Sequence, residues 1–192
     1  MRIVLISTPI GFLGSGKGGG VELTLNSLVS GLISLGHSVE VVAPKNSKLH
    51  ESNVKAKLHC VEGEDQISWQ HQNYNSPVSI PDNSLLAGML EKGLDIAKHA
   101  DVLLNMSYDW LPIWMTLNLE IPIAHIISMG NESSVISNLI SKIYSSPFWS
   151  SSGNNIYNVR DLNLVVGNNV IESPSHNISR YFETTSLYEI WY

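Results

Sequence analysis

Apolar and polar positions fall in blocks along this chain, and the period changes from block to block. Residues 2–7 form a continuous apolar run ending at Ser7, and residues 38–43 form a second, stopped by Pro44. Between them Val21, Leu25, Leu28, Val29, Leu32 and Leu35 recur at helical spacing, so one stripe of a helix faces a sheet. Gly36-His37 closes that helix as a C-terminal cap. The alternation continues with a strand over 54–61, a helix over 83–99 capped by Asn83 or Ser84, and a strand over 101–106. A short aromatic helix over 109–119, a strand over 122–128, a helix over 133–144, a strand over 163–171 and a helix near 176–183 follow. Strands apolar on both faces and separated by helices predict an α/β fold, a Rossmann-like, mainly parallel sheet flanked by helices. Two long polar stretches, 62–82 and 145–160, break the pattern. Loops of that length in a compact domain are usually functional or mobile.

Composition narrows the function. The 192 residues suffice for one domain with a single core, expected over 1–183 with a tail at 184–192. Apolar residues make up 43% but charged ones only 15%, so Ser (27) and Asn (17) must supply much of the polar surface. The net charge of −6, without a basic run, disfavours a nucleic-acid partner held by phosphate neutralisation. Cys60 is the only cysteine, which excludes an internal disulfide framework and fits a reducing compartment. The apolar run at the N-terminus stops at Thr8-Pro9, well short of the roughly 20 residues needed to span a bilayer, so a cytoplasmic protein without a membrane span is expected. The sequons at Asn131 and Asn177 then count as chance matches. The seven histidines show no His-x-x-x-His spacing and Cys60 has only His59 beside it, so a zinc site is not expected. No cofactor is expected either.

The densest chemical signal is Gly11-Phe12-Leu13-Gly14-Ser15-Gly16-Lys17-Gly18-Gly19-Gly20, between the first strand and its helix. Backbone N–H groups at a helix N-terminus can hold an anion there. Gly14, Gly16 and Gly19 satisfy the dinucleotide fingerprint, but the turn is long for it and Glu40 sits mid-strand rather than at the strand end where a ribose is held. Gly11, Gly16 and Lys17 have P-loop spacing, but Gly18 stands where a Ser or Thr hydroxyl must reach magnesium. Both readings stay open beside a glycine loop without a ligand, and the favoured reading is an anion site at the Gly19-Gly20 end, with Glu22 in the first helical turn complementing the dipole or bonding to a hydroxyl.

Ile3-Val4-Leu5-Ile6, the loop ending Gly19-Gly20-Val21-Glu22, the helix to Leu35-Gly36-His37 and Val39 to Pro44 together resemble the N-terminal half of a GT-B fold. The resemblance is to the retaining glycosyltransferases that include sucrose and glycogen synthases. Ser7 to Thr24 look most like cyanobacterial UDP-glucose:tetrahydrobiopterin glucosyltransferases. The resemblance implies that Gly18, Gly19, Gly20 and Glu22 lie beside the donor diphosphate or the acceptor. It places the acceptor against Ser107, Tyr108, Trp110, Met129, Gly130 and Asn131, with Asp109 and Ser128 at the catalytic positions. The family often has histidines where Leu104, Met106 and Ser128 stand here. In such enzymes a second domain binds the donor and carries two glutamates eight positions apart, and none of the eleven glutamates here has that spacing. The implied protein is therefore the acceptor-side half of a hexosyltransferase, inactive alone, taking a nucleotide-sugar donor and a small-molecule acceptor. A missing C-terminal domain would supply the other wall of its cleft, and a half without that wall is expected to expose an apolar face and self-associate as a homo-oligomer.

Retaining transfer builds positive charge on the sugar ring and negative charge on the departing diphosphate, which helix N-termini or basic side chains stabilise. The acids Asp109, Glu120 and Glu132 lie in different segments and show no pairing of the kind a glycoside hydrolase needs. His125 falls inside a strand and reads as a core histidine. Trp110 and Trp114 are one helical turn apart and are expected to pack on the sheet, whereas Trp69 and Trp149, in loops, are better placed to stack on an aromatic acceptor. A small-molecule binding module without catalysis and a nucleotide-dependent oxidoreductase are the alternatives.

Overall fold

The computed structural model describes residues 1–115, 121, 123–127, 133–144, 163–166 and 169–172. The strands are β1 (Arg2–Ile6), β2 (Ser38–Pro44), β3 (Lys57–Val61), β4 (Val102–Asn105), β5 (Ile123–Ile127), β6 (Asn163–Val166) and β7 (Asn169–Glu172). The helices are α1 (Gly20–Ser34), α2 (Leu85–Ala97), α3 (Trp110–Met115) and α4 (Ser134–Tyr144). One sheet runs β3-β2-β1-β4-β5-β6-β7, with β1 to β5 all parallel and β6 and β7 antiparallel to their neighbours. The α/β architecture expected from the sequence is therefore present.

Burial on both faces explains why the strands are apolar without alternation. Ile3 and Leu5 of β1, Val39, Val41 and Ala43 of β2, and Val102 and Leu104 of β4 pack with Leu25, Val29 and Leu32 of α1. The intervening Val4, Ile6, Val42 and Leu103 pack on the opposite face with Leu86, Met89 and Leu90 of α2. Each fully buried aliphatic side chain contributes about 1.5–3 kcal/mol through water removed from its surface, so these two layers dominate stability.

The helix ends follow from local chemistry. α1 stops in a Schellman motif: Gly36 adopts φ +83°, its N–H donates to Ile33 O (3.0 Å) and His37 N–H donates to Leu32 O (3.0 Å). α2 starts at Ser84, whose Oγ accepts from Ala87 N–H (3.2 Å), which selects the second of the two expected caps.

Two expectations need correction. The strand expected over 54–61 begins only at Lys57, because Glu51–Asn53 form a 3-10 turn and Ala56 N–H returns to Asn53 O (2.9 Å). The strand expected over 163–171 is two antiparallel strands, β6 and β7, separated at Gly167-Asn168, a dipeptide of the kind that joins hairpins. The helix near 176–183, the tail at 184–192 and the loop 145–160 lie outside the described residues.

Two glycines of opposite packing test this architecture. A Cβ on Gly63 would come within 2.6 Å of Leu85 Cα, 2.7 Å of Leu85 N and 2.9 Å of Asn83 O, all main chain at the start of α2. A Cβ on Gly20, in the first turn of α1, would meet nothing within 4 Å. Urea unfolding should show Gly63→Ala destabilised by about 2 kcal/mol, as for overpacking. Gly20→Ala should be neutral or stabilised by up to about 1 kcal/mol, from helix propensity.

Candidate functional site

The sheet changes winding direction between β1 and β4. From β1 the chain moves outward through β2 to β3, then returns to add β4 and β5 on the other side. Segments leaving the carboxyl ends of β1 and β4 therefore part from one another, the position at which ligands bind open parallel sheets. The last strand-like bonds here are Ser7 N–H to Val42 O and Met106 N–H to Ile6 O, both 2.9 Å. Beyond them lies a cleft of about 50 Å³ lined by Thr8, Ile10, Gln66, Trp69, Ser107 and Asp109, among others.

Asp109 is the ionisable centre of that cleft. It is 2% exposed, and its Oδ1 accepts from Leu111 N–H (3.2 Å) at the start of α3. Its Oδ2 accepts from Trp69 Nε1–H (3.4 Å), and Trp110 N–H and the Gln66 side chain also bond the carboxylate. Burial pushes the Asp109 carboxyl above the ordinary carboxylate range, and the bonds from Leu111, Trp69, Trp110 and Gln66 offset that only in part. None of the residues lining the cleft is Lys, Arg or His.

The floor beside it is a fixed polar unit. Asn105, at the end of β4, accepts from Ser107 N–H through Oδ1 (3.2 Å) and donates through Nδ2 to Ser107 O (2.9 Å). The Ser107 main chain thereby sets which way the amide faces, so Nδ2 also donates to His125 Nδ1 (2.9 Å). His125 therefore carries its proton on Nε2. Burial lowers its pKa to about 3, so it is a neutral core residue, as its position in a strand suggests.

The glycine loop holds its own anion. Glu22 Oε2 accepts from Gly14 N–H (2.7 Å) and Gly16 N–H (3.4 Å), and Oε1 accepts from Gly18 N–H (2.8 Å) and Ser15 Oγ–H (3.3 Å). Glycines are required because Gly11, Gly14, Gly16 and Gly19 all have positive φ, which aims successive amides at one point. Burial opposes ionisation of Glu22, but the bonds from Gly14, Gly18, Gly16 and Ser15 outweigh it and hold its pKa below the ordinary value. The loop is also anchored by Leu13, whose N–H donates to Ser47 Oγ (2.9 Å) and whose carbonyl accepts from Lys48 N–H (3.0 Å).

Of the residues expected in the site, Ser107, Tyr108 and Asp109 line the cleft together. Trp110 opens α3 and tilts against Trp114, ring centroids 6.4 Å apart, while Trp114 remains 47% exposed. Gly18 and Glu22, expected beside a diphosphate or acceptor, bond to each other, so the anion at Gly18 in this structure is the chain's own carboxylate. Gly19 and Gly20 are exposed at the entry to α1. Ser128, Met129, Gly130, Asn131 and Trp149 lie outside the described residues. Trp69 is 4% exposed and bonded to Asp109, so it is part of the wall rather than a loop ring open to stacking. Gln66 and Thr8 enter the site without having been singled out, since a polar loop residue and a residue after a strand carry no distinguishing spacing. Among the described residues no cluster of His, Cys, Asp and Glu could hold a metal ion, and no helix is long and apolar enough to cross a membrane.

No protein-family model matches this chain, and no curated protein matches it.

The Glu22 clasp makes a signed prediction. A carboxyl whose pKa is lower in the folded than the unfolded chain binds fewer protons when folded. Its contribution is fully present above about 4.5 and is lost as pH falls through the lowered folded value. Glu22→Gln should lower stability at pH 7 by about 1–2 kcal/mol, by weakening charge-assisted bonds to the loop amides. In urea titrations across pH, the difference between wild type and Glu22→Gln should shrink below pH 4.5.

Proposed function

We propose that this chain is the acceptor-side half of a GT-B-type glycosyltransferase that moves a sugar from a nucleotide-sugar to a small molecule. The loop resemblance favours UDP-glucose as donor and a pterin as acceptor. The observation that carries the proposal is the cleft at the switch between β1 and β4, where Ser107, Tyr108 and Asp109 converge on the carboxyl edge of the parallel sheet. The α1 N-terminus with Gly19 and Gly20 belongs to the same edge, because the loop that precedes it leaves the end of β1. In this proposal the half positions the acceptor and excludes water around it. It does not transfer the sugar by itself, because the departing diphosphate needs positive charge and Glu22 already occupies the glycine loop with a negative one. A second domain, in the same chain or supplied by a partner, faces the edge and meets the diphosphate.

Glu22 in the glycine loop also favours a second reading, a small-molecule binding module without catalysis. A nucleotide-dependent oxidoreductase is less well supported. β2 ends in Ala43-Pro44 without an acid for a ribose, and Glu40 is bonded to His59 (2.7 Å) within the sheet.

Calorimetric titration of the chain with tetrahydrobiopterin, UDP-glucose and NADH separates these readings. The transferase half should bind the pterin and UDP-glucose, leave NADH unbound and form no glucosylated product alone. Binding of the pterin with no heat from UDP-glucose would support the binding module instead. Tight NADH binding, or no response to the pterin, would contradict the proposal.

A further inference from the structure

The cleft between the ends of β1 and β4 is small, deep and unevenly satisfied. Its volume of about 50 Å³ compares with the roughly 10–15 Å³ that one water needs by the same measure, so it accommodates one short polar arm of a ligand, a few atoms long. Two of its polar atoms, Ser107 Oγ and Gln66 Oε1, have no hydrogen-bond partner among the described residues. Ser107 is 1% exposed, so its hydroxyl is isolated from bulk solvent. The Gln66 amide is oriented by its nitrogen, which donates to Ser79 O (3.2 Å) and bonds the Asp109 carboxylate, leaving Oε1 as an unused acceptor. An unpaired buried acceptor or hydroxyl is costly, and a ligand that donates to one and bonds the other relieves both.

The charge in the cleft restricts what that ligand is. Asp109 is buried at its centre with only neutral N–H donors around it. No cationic side chain lines the space, so a phosphate or carboxylate entering it would meet a like charge in a low-dielectric setting without compensation. Met106, Ile10, Val21 and Ile67 supply an apolar surround that suits an uncharged group.

We infer that this cleft recognises an uncharged arm of the acceptor, ending in a hydroxyl or a primary amide, and rejects an anionic one. The arm donates to Gln66 Oε1 and exchanges a hydrogen bond with Ser107 Oγ. The assignment of the arm to an acceptor rests on the transferase reading, whereas the selectivity for a neutral group rests on the cleft alone.

Acetamide and acetate are a matched pair of probes, alike in shape and different in charge. In a proton–nitrogen spectrum of the labelled full chain, the Trp69 indole N–H reports directly on the cleft, and its resonance is assigned by its loss in Trp69→Phe. Acetamide should shift it saturably, and acetate at equal ionic strength should bind at least about tenfold more weakly, a difference of about 1.4 kcal/mol. Ser107→Ala should weaken acetamide severalfold. Asp109→Asn should narrow the gap between the probes by admitting acetate, an effect that loss of structure would not produce and that stands if Ser107→Ala does not fold. Acetate binding as well as acetamide, or no saturable response to acetamide, overturns the inference. UDP-glucose followed at the Gly19 and Gly20 amides keeps the two questions apart. A shift there with a cleft indifferent to acetamide overturns the neutral arm and leaves the transferase half. A response to acetamide with silence toward UDP-glucose and the pterin does the reverse.

Discussion

Glu22 reaches back eight, six and four residues to the amides of Gly14, Gly16 and Gly18, and the geometry of the glycine loop at the end of β1 depends on that contact. Four glycines with positive φ have large conformational freedom in the unfolded chain and no side chains to hold them in place. A carboxylate supplies the organising force, since it accepts several N–H bonds at once and such charge-assisted bonds are stronger than neutral ones. Leu13, buried in the core and tied to Ser47 and Lys48, fixes the other side of the same loop. The entry to α1 is consequently set without a side-chain cap at Gly19.

That contact also changes what the loop can do. Glycine-rich turns at helix N-termini bind anions because their amides converge and the helix dipole adds positive potential. Here the convergence is real but the carboxylate within it comes from the protein, and its charge cancels the positive potential that an incoming anion would meet at the first turn of α1. In the neighbouring cleft Asp109 joins the long loop after β3 to the turn before α3 through Trp69, Gln66 and Leu111. Carboxylates with perturbed ionisation in clefts cluster at functional sites.

The sheet is legible in the sequence because burial on both faces leaves an unmistakable mark. Ile3 to Ile6 and, apart from Glu40, Val39 to Ala43 are apolar at successive positions since α1 covers one face and α2 the other. Gly36 and Ser84 mark helix ends through local chemistry that needs no tertiary context. Ser107, Tyr108 and Asp109 are singled out only through the family resemblance, and the structure brings them together at one cleft beyond β4. What stays hidden is contact between distant segments. Trp69 looks like a loop residue until Asp109, forty positions later, is seen to accept a hydrogen bond from its indole N–H. Glu22 looks like a helix-dipole complement or a ligand contact, because sequence spacing does not show that positive φ at the glycines folds the loop back onto it. The β6–β7 hairpin is missed because two short apolar segments separated by Gly167-Asn168 imitate one longer strand.

The most direct measurement of the central claim is the carbon chemical shift of the Glu22 side-chain carboxyl, followed across pH with and without UDP-glucose. The account predicts a titration midpoint below the ordinary glutamate value of 4.5 in both conditions, with the Gly14 and Gly18 amides unmoved by the nucleotide-sugar. A midpoint at or above that value, or a rise on adding UDP-glucose accompanied by movement of those amides, would mean that Glu22 yields the loop to the ligand, and would contradict it.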